Sequence, residues 1–274
     1  MPTAEPRAAE TPSAAAAGVV AGNGRAALEL RSIQLAYGGL VALAGVDLTV
    51  HAGRVSGLIG PNGAGKTSLF DVVTGLTRPS AGRVYLHGRD VTRSRPASRA
   101  QLGLGRTFQR LELFSSLTVR ENVAVAAEAA QPVRLRPRRW HLTESRAATI
   151  VDEQLGRVGL TAYASSRVDT LSTGTARLVE VARALARQPT VLLLDEPASG
   201  LDQAETDRLA SVLLALAADG IAVLVVEHDV GLVMRICSEV VVLDRGSVLA
   251  VGSPATVRRQ PEVVEAYLGQ MALS

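Results

Sequence analysis

The chain has 274 residues, a formal net charge of +3, a pI of about 9.5 and 47% hydrophobic residues, enough for one α/β domain with an appended lobe, or two small domains, around a sizeable core. Its arginines are spread along most of the sequence, so no nucleic-acid partner is expected, and no apolar run approaches the ~20 residues of a membrane-spanning helix. One cysteine, Cys237, excludes an intrachain disulfide and fits a reducing compartment.

Residues 1–26 are rich in Ala, Pro and Gly. A signal peptide would need a stronger apolar stretch than the alanines of Ala14 to Val20, and Glu5 and Glu10 precede it with only Arg7 as a base. A disordered tail is expected. Leu28 to Leu35 then alternates apolar and polar side chains, the pattern of a half-buried strand. Tyr37-Gly38-Gly39 makes a turn. Tyr37 is either an aromatic face for an adenine or a core or turn residue. Leu43 to Val50 is a second strand.

Val55 to Ile59 is a short apolar strand, and Ser68 to Thr74 a helical pattern. Between them lie Gly60, Pro61, Asn62, Gly63, Ala64, Gly65, Lys66 and Thr67, a glycine-rich loop of P-loop form. The glycines let main-chain N–H groups turn inward onto phosphate oxygens, and the helix behind them adds partial positive charge. Lys66 is expected to reach the β- and γ-phosphates, and Thr67 to offer its hydroxyl to Mg²⁺. Of 29 basic residues, 28 are arginine, so Lys66 is the only lysine. A compact ammonium fits between phosphates where a planar guanidinium does not.

Gly82 to Leu86 reads as another strand, after the Pro79-Ser80-Ala81-Gly82 turn. Arg106-Thr107-Phe108-Gln109 follows, with Leu111, Leu113, Phe114 and Leu117, an apolar cluster larger than a small lobe needs to bury. Glu121 to Ala130 has good helix propensity. Residues 131–146 hold Pro132, Pro137, Trp140 and five arginines, and read as a solvated loop able to touch phosphates. Ala147 to Val158 resumes helical spacing. Leu171 to Thr175 precedes a helix from Ala176 to Arg187, with Ser172 a natural N-cap. Such a capped N-terminus can also face an anion.

Val191 to Leu194 is an apolar run, as in a strand buried on both faces, and ends in Asp195 and Glu196. Open α/β sheets place ligands at that end of a strand. Asp195 can hold Mg²⁺ through water, and Glu196 can orient or deprotonate an attacking water. Ser199 to Asp202 is a tight loop, and Leu209 to Ala218 reads as a surface helix. Ile221 to Glu227 is a further buried strand ending at His228, which either caps the loop or reaches a γ-phosphate. Val240 to Leu243 closes the sheet, and Arg245-Gly246 turns the chain.

Taken together these stretches resemble the ATP-binding subunit of an ABC transporter, over about residues 28–269. Gly60 to Thr67, with Ser68 after them, match the Walker A motif. Leu192 to Glu196 match Walker B with its catalytic glutamate. Gln109 matches the Q-loop, Ser199 to Asp202 the D-loop, His228 the switch histidine and Tyr37 the adenine-stacking aromatic. Leu171 to Thr175 match the signature, departing from Leu-Ser-Gly-Gly-Gln at Thr173 and Thr175 but keeping Ser172 and Gly174. The resemblance implies a RecA-like P-loop α/β core within 27–250, N-terminal antiparallel strands, a helical lobe inserted at about 106–164 and a helical tail over 251–274. It implies ATP and Mg²⁺ as cofactors, with Thr67, Gln109 and Asp195 toward the metal and Glu196, His228 and Gln109 in catalysis. ATP would be sandwiched between two such subunits, each giving its P-loop to one ATP and its Ser172 and Gly174 region to the other, with Asp202 among the nucleotide-binding residues. The implied partners are membrane permease subunits, a second ABC ATPase, and indirectly an extracytoplasmic solute-binding protein. The implied location is the cytoplasmic face of the membrane. Arg106 to Gln109 with Leu113-Phe114, Val226 to Asp229 and Pro261 to Gly269 narrow the resemblance to the importers of branched-chain and other hydrophobic amino acids. The lipopolysaccharide-exporter ATPase is similar on the same pattern, and a soluble ABC protein outside transport is a further alternative.

Overall fold

The computed structural model describes residues 25–130 and 144–271. The expected tail lies outside them up to residue 24, and so does the basic segment from 131 to 143.

Two sheets share the core. The first is antiparallel, in the order β2-β1-β4-β5, from β1 (Ala26–Tyr37), β2 (Leu40–His51), β4 (Ala81–Leu86) and β5 (Arg89–Asp90). Gly38 and Gly39 turn β1 into β2, with Tyr37 opposite Leu40. The second sheet contains β3 (Val55–Ile59), β6 (Leu104–Arg106), β7 (Val191–Asp195), β8 (Ala222–Val226), β9 (Glu239–Asp244) and β10 (Ser247–Gly252), in the order β10-β9-β3-β8-β7-β6. Every neighbouring pair in it is parallel except β9 with β10.

The unbroken apolar runs follow from burial on both faces. Leu192 and Leu194 of β7 join a core with helices; Val191 and Leu193 join a second core with the antiparallel sheet. Neighbouring β8 divides the same way, Val223 and Val225 to the first core, Leu224 and Val226 to the second. All the residues of β3, β7 and β8 are buried.

The helices start where the chain supplies caps. Helix α1 (Lys66–Thr74) follows the glycine loop and ends at Gly75, whose φ of 80° puts it in the left-handed region. Short α2 (Pro96–Gln101) begins on a proline. Helix α3 (Val119–Ala129) starts with a capping box between Thr118 and Glu121. Helix α4 (Glu144–Arg157) begins three residues earlier than the spacing predicts, because polar Glu144, Ser145 and Arg146 carry no apolar period yet form its first turn. In α5 (Thr173–Leu185) the Ser172 hydroxyl accepts the Thr175 N–H, so the cap is where the sequence placed it. Helix α6 (Gln203–Ala218) has a second capping box, Asp202 with Glu205, and is less superficial than expected, since Leu209, Leu213 and Leu216 are buried. Helices α7 (Val230–Ile236), α8 (Pro254–Val257) and α9 (Pro261–Met271) complete the chain. Among the described residues no helix is long and apolar enough to cross a membrane.

Candidate functional site

Because β3, β6, β7 and β8 are parallel, their carboxyl ends lie on one edge of the sheet. The loop after β3 holds Gly60 to Gly65. The segment after β6 holds Gln109. Strand β7 ends in Asp195 and Glu196, and β8 leads to His228. Residues far apart in sequence thus converge at a single edge, where such sheets bind ligands.

The glycine loop is shaped by its surroundings. A Cβ on Gly60 would lie 2.1 Å from the Leu243 carbonyl oxygen, and one on Gly65 2.6 Å from that of Ala42. Only glycine fits there. Lys66 is buried, and its Nζ donates to the carbonyls of Gly60 at 2.6 Å and Pro61 at 2.9 Å. Burial pushes its pKa down, while Glu196 and Asp195 pull it back up. The ammonium therefore caps its own loop in a position suited to a polyanion.

Glu196 stands at the centre of the edge. Its φ of 48° is in the left-handed region, a strained conformation for a residue with a side chain. Its N–H donates to Val226 at 2.9 Å, fixing that conformation against β8. Gln109 Nε2 donates to Glu196 Oε2 at 2.8 Å, and His228 Nε2 lies 2.6 Å from Glu196 Oε1. The three side chains that the resemblance assigns to catalysis thus meet.

Asp195 is buried, and Arg106 Nη2 donates to its Oδ2 at 3.1 Å. Burial raises the Asp195 pKa; Arg106 opposes this. The other arm of Arg106 reaches Asp71 on α1 at 2.8 Å, and its guanidinium lies over the rings of Phe70 and Phe108. Thr67 lies on the first turn of α1. The hydroxyl, carboxylate and amide of Thr67, Asp195 and Gln109 are oxygen donors of the type Mg²⁺ takes. Among the described residues no group of three or more His, Cys, Asp or Glu side chains could hold a metal.

Tyr37 is 51% exposed at the end of β1, which excludes the core alternative and leaves its ring free to meet a flat base. Ser172 and Gly174 sit at the start of α5, and Asp202 at the start of α6. Glu205 links the two helix ends: its Oε1 accepts the Gly174 N–H and its Oε2 the Asp202 N–H. Among the described residues no hydrogen bond joins this group to Lys66, Glu196 or Gln109. Thr175, where the signature departs, turns inward and accepts the Ser172 hydroxyl at 3.0 Å.

The apolar cluster divides. Phe108, Leu111 and Phe114 are exposed, whereas Leu113 is partly buried against the helical core. The segment is held by α5: Arg177 donates to the carbonyls of Phe108 and Gln109, and Glu180 accepts the Glu112 N–H. Sequence reasoning passed over Arg106, Arg177, Glu180 and Glu205. Arg106 stands in the quoted Arg-Thr-Phe-Gln stretch, but only the fold brings it to Asp195.

A glycine loop at the end of β3, acids ending β7 and a parallel sheet between them define a P-loop nucleoside triphosphatase. The comparisons take this further. Residues 43–199 match the model of the ABC transporter family, and residues 247–272 that of the branched-chain amino acid ATP-binding cassette transporter. The chain belongs to the ABC transporter family, as an ATP-binding ATPase. It is 36% identical over 252 residues to the high-affinity branched-chain amino acid transport ATP-binding protein BraF of Pseudomonas aeruginosa, covering 90% of this chain and 99% of that one. It is 34% identical to LivG of Escherichia coli, described in the same words, covering 89% and 98%. The lipopolysaccharide export system ATP-binding protein LptB of Acidithiobacillus ferridurans is 35% identical, with 88% and 96% covered. A crystal structure of a nucleotide-free ATP-binding cassette from an ABC transporter superposes with a TM-score of 0.79 at 30% identity, covering 88% of this chain and 98% of that one.

Proposed function

We propose that the chain hydrolyses MgATP to drive import of branched-chain amino acids through separate permease subunits, at the cytoplasmic face of a membrane. The observation that carries the ATPase reading is the Glu196 carboxylate held between Gln109 and His228, opposite the Lys66 loop. Glu196 is the general base, His228 orients it and the γ-phosphate, and Gln109 senses both. Lys66 and the loop amides hold the β- and γ-phosphates, and Tyr37 stacks on the adenine. Thr67, Asp195 and Gln109 would hold Mg²⁺, which would neutralise charge developing on the phosphates.

Ser172, Gly174 and Asp202 serve the nucleotide of a second ATPase subunit, identical or a paralogue; their place at the capped starts of α5 and α6, where main-chain N–H groups can face an anion, supports this. Exposed Phe108, Leu111 and Phe114, beside Gln109, offer the permease an apolar surface. The C-terminal match over 247–272 favours the amino acid importer over a lipopolysaccharide exporter. An extracytoplasmic solute-binding protein would act through the permease.

Glu196→Gln tests the site: it should bind ATP, stop turnover and trap a closed dimer on gel filtration. Turnover at the wild-type rate refutes the general base. Deleting the gene should abolish high-affinity leucine, isoleucine and valine uptake, and normal uptake refutes the substrate.

A further inference from the structure

Glu227, buried between the loop that carries Glu196 and the loop that carries His228, has no part in the chemistry above. It follows β8 directly and is 3% exposed. Its Oε1 accepts the Ala198 N–H at 2.6 Å, and its Oε2 accepts the N–H of His228 at 3.2 Å. Among the described residues no arginine, lysine or histidine pairs with it. A buried carboxylate without a cation is costly, and main-chain amides alone offset that cost here. Burial pushes its pKa up; the amides of Ala198, His228 and Asp229 oppose this.

We propose that Glu227 is a positioning residue for ATP hydrolysis, one carboxylate that sets the place of Glu196 and His228 together by tying both loops. The inference rests on the roles proposed for those two residues. Ala198 lies two residues beyond Glu196 in a tight turn, where the Ser199 N–H returns to the Glu196 carbonyl at 3.2 Å. Shifting Ala198 therefore shifts Glu196. On the other side the tie is to His228 itself, through its own amide. The 2.6 Å contact between the Glu196 and His228 side chains spans the same two loops above the carboxylate. The chemistry needs an acid. Both oxygens of a carboxylate accept, whereas a glutamine of the same size turns an NH₂ toward one donor and must break one tie.

The test uses the full-length chain, with ATP affinity, hydrolysis at saturating MgATP and thermal melting each measured. Glu227→Gln should leave ATP affinity within about twofold, since Lys66 and Thr67 are untouched, and lower kcat about tenfold with KM unchanged. In a His228→Ala background the same change should cost clearly less than in the wild type, because the His228 half of what it positions is gone while the Glu196 half remains. Glu227→Asp keeps the charge but draws the oxygens back, and should lower kcat without changing KM. Unchanged kcat in both variants overturns the inference, as does a full additive loss in the His228→Ala background. If both variants lose ATP binding, Glu227 is a folding residue and the inference also fails. Wild-type protein that does not hydrolyse ATP, or Glu196→Gln that does, refutes the reading of the site itself and is told apart by those controls.

Discussion

Arg99 is a buried cation with no carboxylate in salt-bridge contact among the described residues, and its removal should loosen the P-loop helix. It is 1% exposed. Its Nη1 donates to the carbonyls of Val72 and Val73, each at 2.6 Å, its Nη2 to Thr92 at 3.0 Å and its Nε to Ser94 at 3.3 Å. Two of these carbonyls belong to the last turn of α1, where helix carbonyls lack internal partners and the dipole favours positive charge. Gly75 is the matching cap, since a Cβ there would lie 2.8 Å from Arg99 Nε. Arg99→Met keeps the bulk and deletes the donors. Hydrogen bonds from a charged donor contribute about 1.5–3 kcal/mol each. Val72 keeps the Gly75 N–H at 3.2 Å, so the carbonyls of Val73, Thr92 and Ser94 bear the loss. Relief comes from not burying the cation, whose pKa burial lowers to about 10. Allowing for that and for methionine packing, the net cost should be about 3 kcal/mol. For a chain of this size that lowers Tm by about 6–12 °C. Scanning calorimetry reads it. Arg99→Lys should recover less than half, because one ammonium cannot reach carbonyls spread around a planar fork. ATP affinity should fall with stability, since α1 begins at Lys66. An Arg99→Met protein melting within about 2 °C of wild type would refute this account.

Lys66→Arg should weaken ATP binding at least about tenfold, close to Lys66→Ala, because the buried slot between the Gly60 and Pro61 carbonyls fits an ammonium; equilibrium binding with a fluorescent nucleotide decides it, and normal affinity refutes the steric argument. The Cys237 thiol, with its pKa pushed up to about 12 by burial, should react with a thiol reagent at least about a hundredfold slower in the native chain than in denaturant. The fold favours the protonated thiol, so its contribution to stability is full below the ordinary thiol value of 9.0 and declines as pH rises toward 12. Fast labelling of folded protein, or a flat stability profile between those values, would contradict that. Phe114→Ser should leave Tm within about 2 °C yet stop co-purification with membrane subunits, whereas Leu113→Gln, packed on the helical core, should destabilise by about 2 kcal/mol. Intact assembly of the Phe114 variant would move the docking surface elsewhere.

The parallel core was legible because its signals are local. Burial on both faces writes an unbroken apolar run, as in Val191 to Leu194, and a glycine loop between a strand and a helix has few other uses. Strand β6 was missed because Leu104, Gly105 and Arg106 are too few for a period, and they pair only because β7 lies alongside. Helix α2 was missed because its one large buried anchor is Arg99, an arginine that no hydrophobic pattern counts. The antiparallel strands β1, β2 and β4 were found, but their ends ran further than their apolar residues; two-residue β5 is too short for a period, and β10, not Val240 to Leu243, forms the edge of the second sheet. Leu40 and Val41 are exposed and still paired, since the main-chain ladder continues past the core.

The site divides by the same physics. Gln109, Glu196 and His228 each carried a motif, so their residue types could be named from sequence, but not their contact. That contact depends on the order of β6, β7 and β8, which sets the three carboxyl ends side by side. The supports beneath were not legible at all. Glu227 and Arg177 bind main-chain groups of other loops, and Arg99 those of α1 and the loop before α2. A backbone amide or carbonyl leaves no mark on the residue type above it. Arg106 is the intermediate case: its partners Asp71 and Asp195 are side chains, yet 35 and 89 residues away. An acid that ends a buried strand needs a neutralising group when no metal is bound, so Asp195 itself implies a partner like Arg106. The sequence offers 28 arginines for that role, and only the register of β6 on β7, placing Arg106 beside Leu193, selects this one.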